Sequence, residues 1–137
     1  MIFMRTRNLL RRILPAALFV FIMVIAPQTS SGIVDYMLGV ASWYSEFSPG
    51  IRETTANMEK FDHNKLTCAS WDYPFDTVLE VINIDNGKKV LVRVNDRGPA
   101  KRLYRKGRII DLTKKAFQNI ADLDKGLIKV KVRAIRS

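Results

Sequence analysis

Short segments rich in β-branched and aromatic residues run through most of the chain, and several of them alternate apolar with polar positions. This period of two predicts β-strands. A helix is predicted at about Lys114–Ile120, where three apolar residues share one side and Thr113 stands at the capping position. A small, mainly β barrel is therefore predicted. The strand segments are Met37–Tyr44, Lys65–Ala69, Val78–Ile84, Lys89–Val94, Arg108–Leu112 and Leu127–Ile135.

Turn-forming residues separate these segments. Asp85-Asn86-Gly87-Lys88 joins two alternating runs, and Asn-Gly favours a type I′ hairpin turn because both central residues need positive φ. Asn95–Pro99 predicts a sharp loop after the second run. Ser45–Asn57 is polar and contains Pro49-Gly50, so it predicts a longer connection that includes a turn.

The N-terminus has the order of a secretory signal peptide. Met1–Arg12 is basic, Ile13–Ala26 is apolar, and small or polar residues follow. The apolar stretch is shorter than the roughly 20 residues that span a bilayer. We predict a signal peptide at Met1–Ser31, with an uncleaved membrane anchor as the alternative, and a barrel domain at Gly32–Ser137. Export to the periplasm or cell envelope, or secretion, would follow, with only transient membrane contact through the signal peptide. The absence of a cysteine near this exit excludes a lipoprotein anchor.

The charge and cysteine content indicate the kind of partner and exclude a disulfide-stabilised fold. The formal net charge is +10, from 23 basic and 13 acidic residues. An acidic partner such as nucleic acid, anionic lipid or cell wall is therefore plausible. Cys68 is the only cysteine, so no intramolecular disulfide forms, and its apolar flanks predict burial. One cysteine and one histidine do not make a structural zinc site; we expect no metal and no cofactor.

Three segments carry a specific resemblance: Gly39–Tyr44 (GVASWY), Val92–Pro99 (VRVNDRGP) and Gly107–Leu112 (GRIIDL). With them, the chain resembles the double-psi β-barrel domain of rare lipoprotein A over about Gly39–Val132. More distantly it is similar to the barrels of expansins and family-45-type endoglucanases. The resemblance implies a six-stranded double-psi β-barrel with one short helix.

The resemblance also implies a function. Catalytic members of the family act on peptidoglycan glycan strands as endolytic lytic transglycosylases that prefer glycan without stem peptides and use no water. Expansin-like members bind or loosen polysaccharide without cleavage, and this non-catalytic function is the alternative. A third possibility, a nucleic-acid or lipid-surface binder, conflicts with the export signal. We therefore expect peptidoglycan as the partner, no nucleic acid, and a monomer.

Three acids are the candidate catalytic residues. Glycosidic cleavage needs a general acid, commonly assisted by a second carboxylate. The family's catalytic aspartate matches Asp96, although an aspartate in such a loop also suits a turn. Glu59 and Asp62 match the acids of the family motif Gly-Glu-x-Tyr-Asp, which here begins with Met58 and has Phe61 in place of tyrosine. Solvated surface carboxylates are the alternative for this pair.

Position 70 departs from the family pattern. Active members tend to have Thr-Ala-Ala-His where this chain has Thr67-Cys68-Ala69-Ser70. A serine can hydrogen-bond to sugar but does not titrate near neutral pH as histidine does. The single histidine, His63, is predicted to be an exposed loop residue.

Aromatic rings and hydrogen-bond donors near these acids are the candidate sugar contacts. One of the two tryptophans is as well explained by packing beneath the groove, and the arginine by bracing its loop. The basic segment Lys101–Arg108 is predicted to be an exposed loop that attracts wall carboxylates, or simply solvated surface. The candidate substrate-binding residues are Trp43, Tyr44, Ser70, Trp71, Asn95 and Arg97.

Overall fold

A computed structural model describes residues 34–136, so the predicted signal peptide lies outside the described residues. The strands are β1 (Met37–Tyr44), β2 (Thr67–Ser70), β3 (Val78–Asn83), β4 (Lys89–Asp96), β5 (Arg108–Thr113) and β6 (Leu127–Arg136). The helices are α1 (Lys101–Tyr104) and α2 (Lys114–Gln118), and a 3-10 turn covers Leu123–Lys125. Across residues 34–136, no helix is long and apolar enough to cross a membrane.

The strands close into one barrel in the order β1-β5-β2-β4-β3-β6. Two neighbouring pairs, β1–β5 and β2–β4, are parallel, and the other pairs are antiparallel. Parallel neighbours cannot be joined by a tight hairpin, so the chain crosses over between them. The six-stranded double-psi barrel predicted from the resemblance is confirmed.

The barrel interior is filled by aliphatic side chains that alternate along the strands. Leu79, Val81, Val92 and Val94 of the β3–β4 hairpin are almost fully buried. Phe117 and Ile120 extend this core from the region of α2. Cys68 is fully buried, as predicted, and burial raises the pKa of its thiol, so it packs as a small apolar residue.

Two local predictions near the candidate site were wrong. The sharp loop predicted at Asn95–Pro99 begins later, because β4 continues through Asp96, which pairs with Ala69 of β2. The basic loop predicted at Lys101–Arg108 contains the one-turn helix α1, so the barrel carries two short helices rather than one. Backbone N–H groups of Leu103 and Tyr104 both donate to the Ala100 carbonyl, which stabilises this turn.

Two further details differ from expectation. In the β3–β4 hairpin, Gly87 has positive φ but Asn86 does not, so the connection is a longer loop rather than a type I′ turn. Its closure is a hydrogen bond from the Asn83 N–H to the Lys88 carbonyl. Thr113 precedes α2 as predicted, but its hydroxyl donates to the Lys65 carbonyl at 2.6 Å instead of capping the helix.

Candidate active site

Asp96 is the last residue of β4 and borders a groove of about 450 Å³. The other wall comes from the long connection between β1 and β2. The pairing of Ala69 with Asp96 fixes where β4 ends, and thus where the carboxylate enters the groove. Besides Asp96, the groove is lined by Ile51, Arg52, Thr54, Met58, Phe61 and Arg97, among others.

The Asp96 carboxylate is held through one of its two oxygens. Oδ1 accepts hydrogen bonds from the backbone N–H groups of Ala56 and Arg97, each at 2.9 Å. Within the described residues, Oδ2 has no hydrogen-bond partner. The bond from Arg97 shows that the turn-like interaction considered from sequence does form, but it occupies only one oxygen. The carboxylate borders the groove, and the buried Tyr44 hydroxyl also lies close to it.

Tyr44 lies beneath the groove. Its ring stacks on Phe61 with centroids 4.8 Å apart, and its side chain is buried. Burial, followed by the nearby charge of Asp96, raises the pKa of the phenol, so the hydroxyl keeps its proton at neutral pH. Among the described residues, no acceptor meets this hydroxyl in hydrogen-bonding geometry. Tyr44 therefore supports the groove-lining Phe61 and places a protonated hydroxyl near Asp96.

Glu59 lies at the centre of a charged network. Arg93 binds both carboxylate oxygens, at 2.7 and 2.9 Å. The Asn57 and Asn95 amides donate to the same carboxylate at 2.9 and 3.1 Å. The three bonds from Arg93 and Asn95 tie the β1–β2 connection to β4, immediately before Asp96, and the bond from Asn57 lies within the connection.

The network fixes the protonation state of Glu59. Its hydrogen bonds with Arg93 lower the pKa of the carboxyl to about 2, with smaller contributions from Asn95 and Asn57. Glu59 is therefore ionised at neutral pH and has no proton to donate. Asn95, itself buried, orients its amide toward this carboxylate, while its Oδ1 has no partner within residues 34–136.

Asp62 is not a member of this network. Its Oδ1 accepts the N–H of Asn64 at 2.9 Å within a local turn. Phe61 beside it lines the groove, whereas Asp62 is not among the lining residues. The structure therefore brings Glu59 close to the Asp96 region through its hydrogen bonds and places Asp62 in a separate turn.

Ser70 and Arg97 meet at the end of β2. Ser70 is only 1% exposed, and its hydroxyl accepts the N–H of Asp72 at 3.2 Å. Arg97 donates to the carbonyls of Ser70 and Tyr73 at 2.7 and 2.8 Å, and its guanidinium lies 3.9 Å from the centre of the Phe75 ring. The bracing interpretation of Arg97 fits these contacts, although Arg97 also contributes to the groove lining.

The two tryptophans lie in different environments. Trp43 packs on the core, and its indole N–H donates to the Leu123 carbonyl at 3.1 Å. Trp71 is 37% exposed, with its N–H bound to the Pro99 carbonyl and the Lys101 ammonium 3.5 Å from its ring centre. Neither is among the lining residues of the Asp96 groove. Trp43 thus matches the packing alternative.

His63 differs from the exposed loop residue that was predicted. Its side chain is only 13% exposed, its Nδ1 lies 3.5 Å from a Glu46 carboxylate oxygen, and its ring lies 5.9 Å from that of Phe47. Packing within the β1–β2 connection removes it from solvent.

Sequence reasoning missed several groove residues, among them Ile51, Arg52 and Thr54. They lie in a polar connection with no strand or helix period, so no pattern marks them. Phe61 and Met58 could have been noticed in the sequence, because both depart from the family motif that the chain otherwise follows.

Comparisons with known proteins agree with this fold. A family model described as "Lytic transglycolase" matches residues 36–132. A Treponema pallidum protein named "Probable endolytic peptidoglycan transglycosylase RlpA" is 45% identical over 94 residues, which is 69% of this chain and 28% of that protein. The "Endolytic peptidoglycan transglycosylase RlpA" of Campylobacter jejuni is 41% identical over 98 residues, which is 71% of this chain and 33% of that protein.

One solved structure, the apo expansin of Clavibacter michiganensis, superimposes with a TM-score of 0.57 at 20% identity. The match covers 75% of this chain and 52% of the expansin, and it supports the barrel fold alone. The chain spans about a third or less of the two curated relatives described above. Because the family model and these relatives cover most of the described barrel, the chain belongs to the lytic transglycolase family and has an RlpA-like double-psi β-barrel.

Proposed function

We propose that this barrel is an exported peptidoglycan-cleaving domain, an endolytic lytic transglycosylase that acts on glycan strands without stem peptides. The observation that carries the proposal is the Asp96 carboxylate, which borders an open groove and is held there by two backbone N–H groups through Oδ1. The names of the relatives support peptidoglycan as the substrate. The N-terminal sequence pattern supports export to the periplasm or cell envelope.

In the proposed reaction, Asp96 acts first as acid and then as base. Its carboxyl donates a proton to the glycosidic oxygen as the bond to the anomeric carbon breaks. The sugar's own primary hydroxyl then attacks the anomeric carbon, and its proton passes to the Asp96 carboxylate. The products are an anhydro sugar end and a new free sugar end. No water is consumed, and Asp96 returns to its starting state.

Glu59 has a supporting role in this proposal. Its carboxylate stays ionised and is shared among Arg93, Asn57 and Asn95, so it positions the β4 end and the adjacent connection rather than donating a proton. Asp62 does not line the groove, so Asp96 is the residue on which the proposal depends.

The test is the product spectrum of the purified chain incubated with denuded and with intact peptidoglycan. We expect anhydro-muramyl products from the denuded substrate and a loss of at least a hundredfold in their rate for Asp96→Asn. The amide keeps an oxygen for the Ala56 and Arg97 N–H groups but cannot cycle a proton.

Asp62→Asn is the matched control, because it makes the same chemical change in a carboxylate outside the groove lining. It should retain activity within about threefold. Equal activity of Asp96→Asn and the wild-type chain would contradict the proposed acid, and absence of anhydro products from the wild-type chain would contradict the proposed reaction.

Ser70 favours a second candidate function, a non-catalytic module that binds glycan in the same groove. The residue stands where active members tend to have histidine, and it is buried in a local hydrogen bond with Asp72. Co-sedimentation with peptidoglycan, without release of products, would identify this function. Asp96→Asn should then leave sedimentation nearly unchanged.

A further inference from the structure

Met58 adopts a backbone conformation that its side chain disfavours. Its φ is 71°, in the left-handed region where the Cβ of an L-residue crowds the backbone. Met58 is the last residue of a tight turn in which its N–H donates to the Thr55 carbonyl at 3.0 Å. Glycine would adopt this φ without the steric penalty.

Burial of the Met58 side chain does not compensate for this steric penalty. The residue is 79% exposed, so it contributes almost nothing to the apolar core. A strained backbone at an exposed large apolar residue indicates a requirement outside the folded chain, because neither local geometry nor burial favours methionine there.

The position of Met58 indicates what that requirement is. It lines the same groove as Asp96, together with the apolar residues Ile51 and Phe61. It is also rigidly connected to the carboxylate, since the Ala56 N–H of the same turn donates to Asp96 Oδ1. A ligand that fills this groove therefore meets both the Asp96 carboxylate and the Met58 thioether, a flexible and polarisable apolar group.

We propose that Met58 is a specificity-determining residue that contacts the N-acetyl groups of a glycan chain in this groove. The inference rests on the proposed function, in that it takes a glycan as the occupant. The methyl end of a 2-acetamido group offers an apolar surface that a plain 2-hydroxyl lacks, and one such contact distinguishes ligands modestly. Met58 thus favours N-acetylated glycans over unsubstituted glucans.

The test compares binding of chitohexaose and cellohexaose by calorimetry. Both are neutral β-linked hexasaccharides, and they differ in the 2-acetamido group. We expect the wild-type chain to bind chitohexaose at least fivefold more tightly. Met58→Gly should reduce this preference below twofold while leaving the thermal unfolding midpoint unchanged or higher, since the strain is relieved.

Two further variants separate the side chain from the strain. Met58→Ala keeps the disfavoured φ but removes the thioether, so it should lose the preference without a rise in the unfolding midpoint. Met58→Leu retains a large apolar group and should keep most of the preference.

A Met58→Gly chain that keeps a fivefold preference, or that unfolds at a clearly lower temperature, would overturn the inference. So would a wild-type chain without preference between the two sugars. If the wild-type chain still releases anhydro products from peptidoglycan in these cases, the proposed role of Met58 is wrong and the proposed function stands. A wild-type chain with neither binding nor products overturns both proposals.

Discussion

At the scale of single residues, the carboxylates of Glu59 and Asp96 have different environments. Glu59 has its oxygens occupied by three side chains, whereas Asp96 has one oxygen held and one without a partner in the described structure. Hydrogen bonds to an ionised carboxylate favour the charged form, so Glu59 stabilises the fold at neutral pH. Asp96 instead borders the groove, where a ligand can contact its carboxylate.

The Glu59 network predicts a specific loss of stability in acid. The pKa of Glu59 falls from 4.5 to about 2 on folding, so its contribution is present above about pH 4.5 and is lost as the pH falls through 2. Because the side chain is 39% exposed, solvent screening limits this contribution to about 1 kcal/mol. Glu59→Gln should be less stable than wild type at pH 7, and the difference should shrink toward pH 2.

Thermal unfolding of both chains between pH 7 and pH 2 measures this convergence. Glu53→Gln is the matched control, because Glu53 is exposed and forms no salt bridge within the described residues. It should track the wild type at every pH. A constant gap between Glu59→Gln and wild type over this range would contradict the predicted linkage.

At the scale of elements, the parallel contact between β1 and β5 depends on a missing side chain. A Cβ on Gly39 would lie 2.7 Å from Ile109 Cγ2 and 2.9 Å from the Gly107 carbonyl. The Val40 N–H donates to the same carbonyl at 2.9 Å and so stabilises this seam, the contact between β1 and the start of β5. Glycine at position 39 therefore allows the two strands to pair closely enough to close the barrel.

Gly39→Ala should destabilise the barrel by about 1–3 kcal/mol, because overpacking at this seam forces the strands apart. Urea unfolding measures the change. Ile109→Ala removes both γ carbons that the new Cβ would meet while the backbone carbonyl stays in place. The double variant should therefore lose less stability than the sum of the two single changes. A Gly39→Ala chain as stable as wild type would show that the seam can open without penalty.

At the scale of the whole molecule, positive charge is concentrated beside α1. Lys101, Arg102, Arg105 and Lys106 are exposed, and none forms a salt bridge among residues 34–136. Arg108, by contrast, is paired with Asp111 at 2.8 Å. Uncompensated cations on one surface attract acidic polymers over about one Debye length, roughly 8–10 Å at moderate ionic strength.

If the wall is the partner, this basic surface should make binding depend on salt. Replacing Lys101, Arg102, Arg105 and Lys106 with glutamine should weaken co-sedimentation with intact peptidoglycan severalfold at low salt and flatten its salt dependence. The matched control replaces four exposed lysines elsewhere on the barrel and should have a smaller effect. These control positions are Lys88, Lys115, Lys125 and Lys129. Equal effects of the two quadruple variants would show that only net charge matters.

Much of the fold could be predicted from local sequence. The run Met37–Tyr44 gives the bounds of β1, and the strand predictions at Val78–Ile84 and Leu127–Ile135 differ from β3 and β6 by one residue at one end. Alternation is a property of neighbouring residues, so the sequence carries it without knowledge of the fold. The end of β4 was harder to predict, because Asn95 and Asp96 suit a turn locally and become strand only through pairing with β2.

What the sequence alone determined is the class of barrel, the burial of Cys68 and the candidate status of Asp96 and Glu59. Tertiary structure decided which carboxylate is occupied, because Arg93 and Asn95 are distant from Glu59 along the chain and meet it only when β4 and the β1–β2 connection come together. It also decided that Met58 borders the groove under strain. Hydrogen-bond partners and groove walls depend on through-space neighbours, which no local period of the sequence encodes.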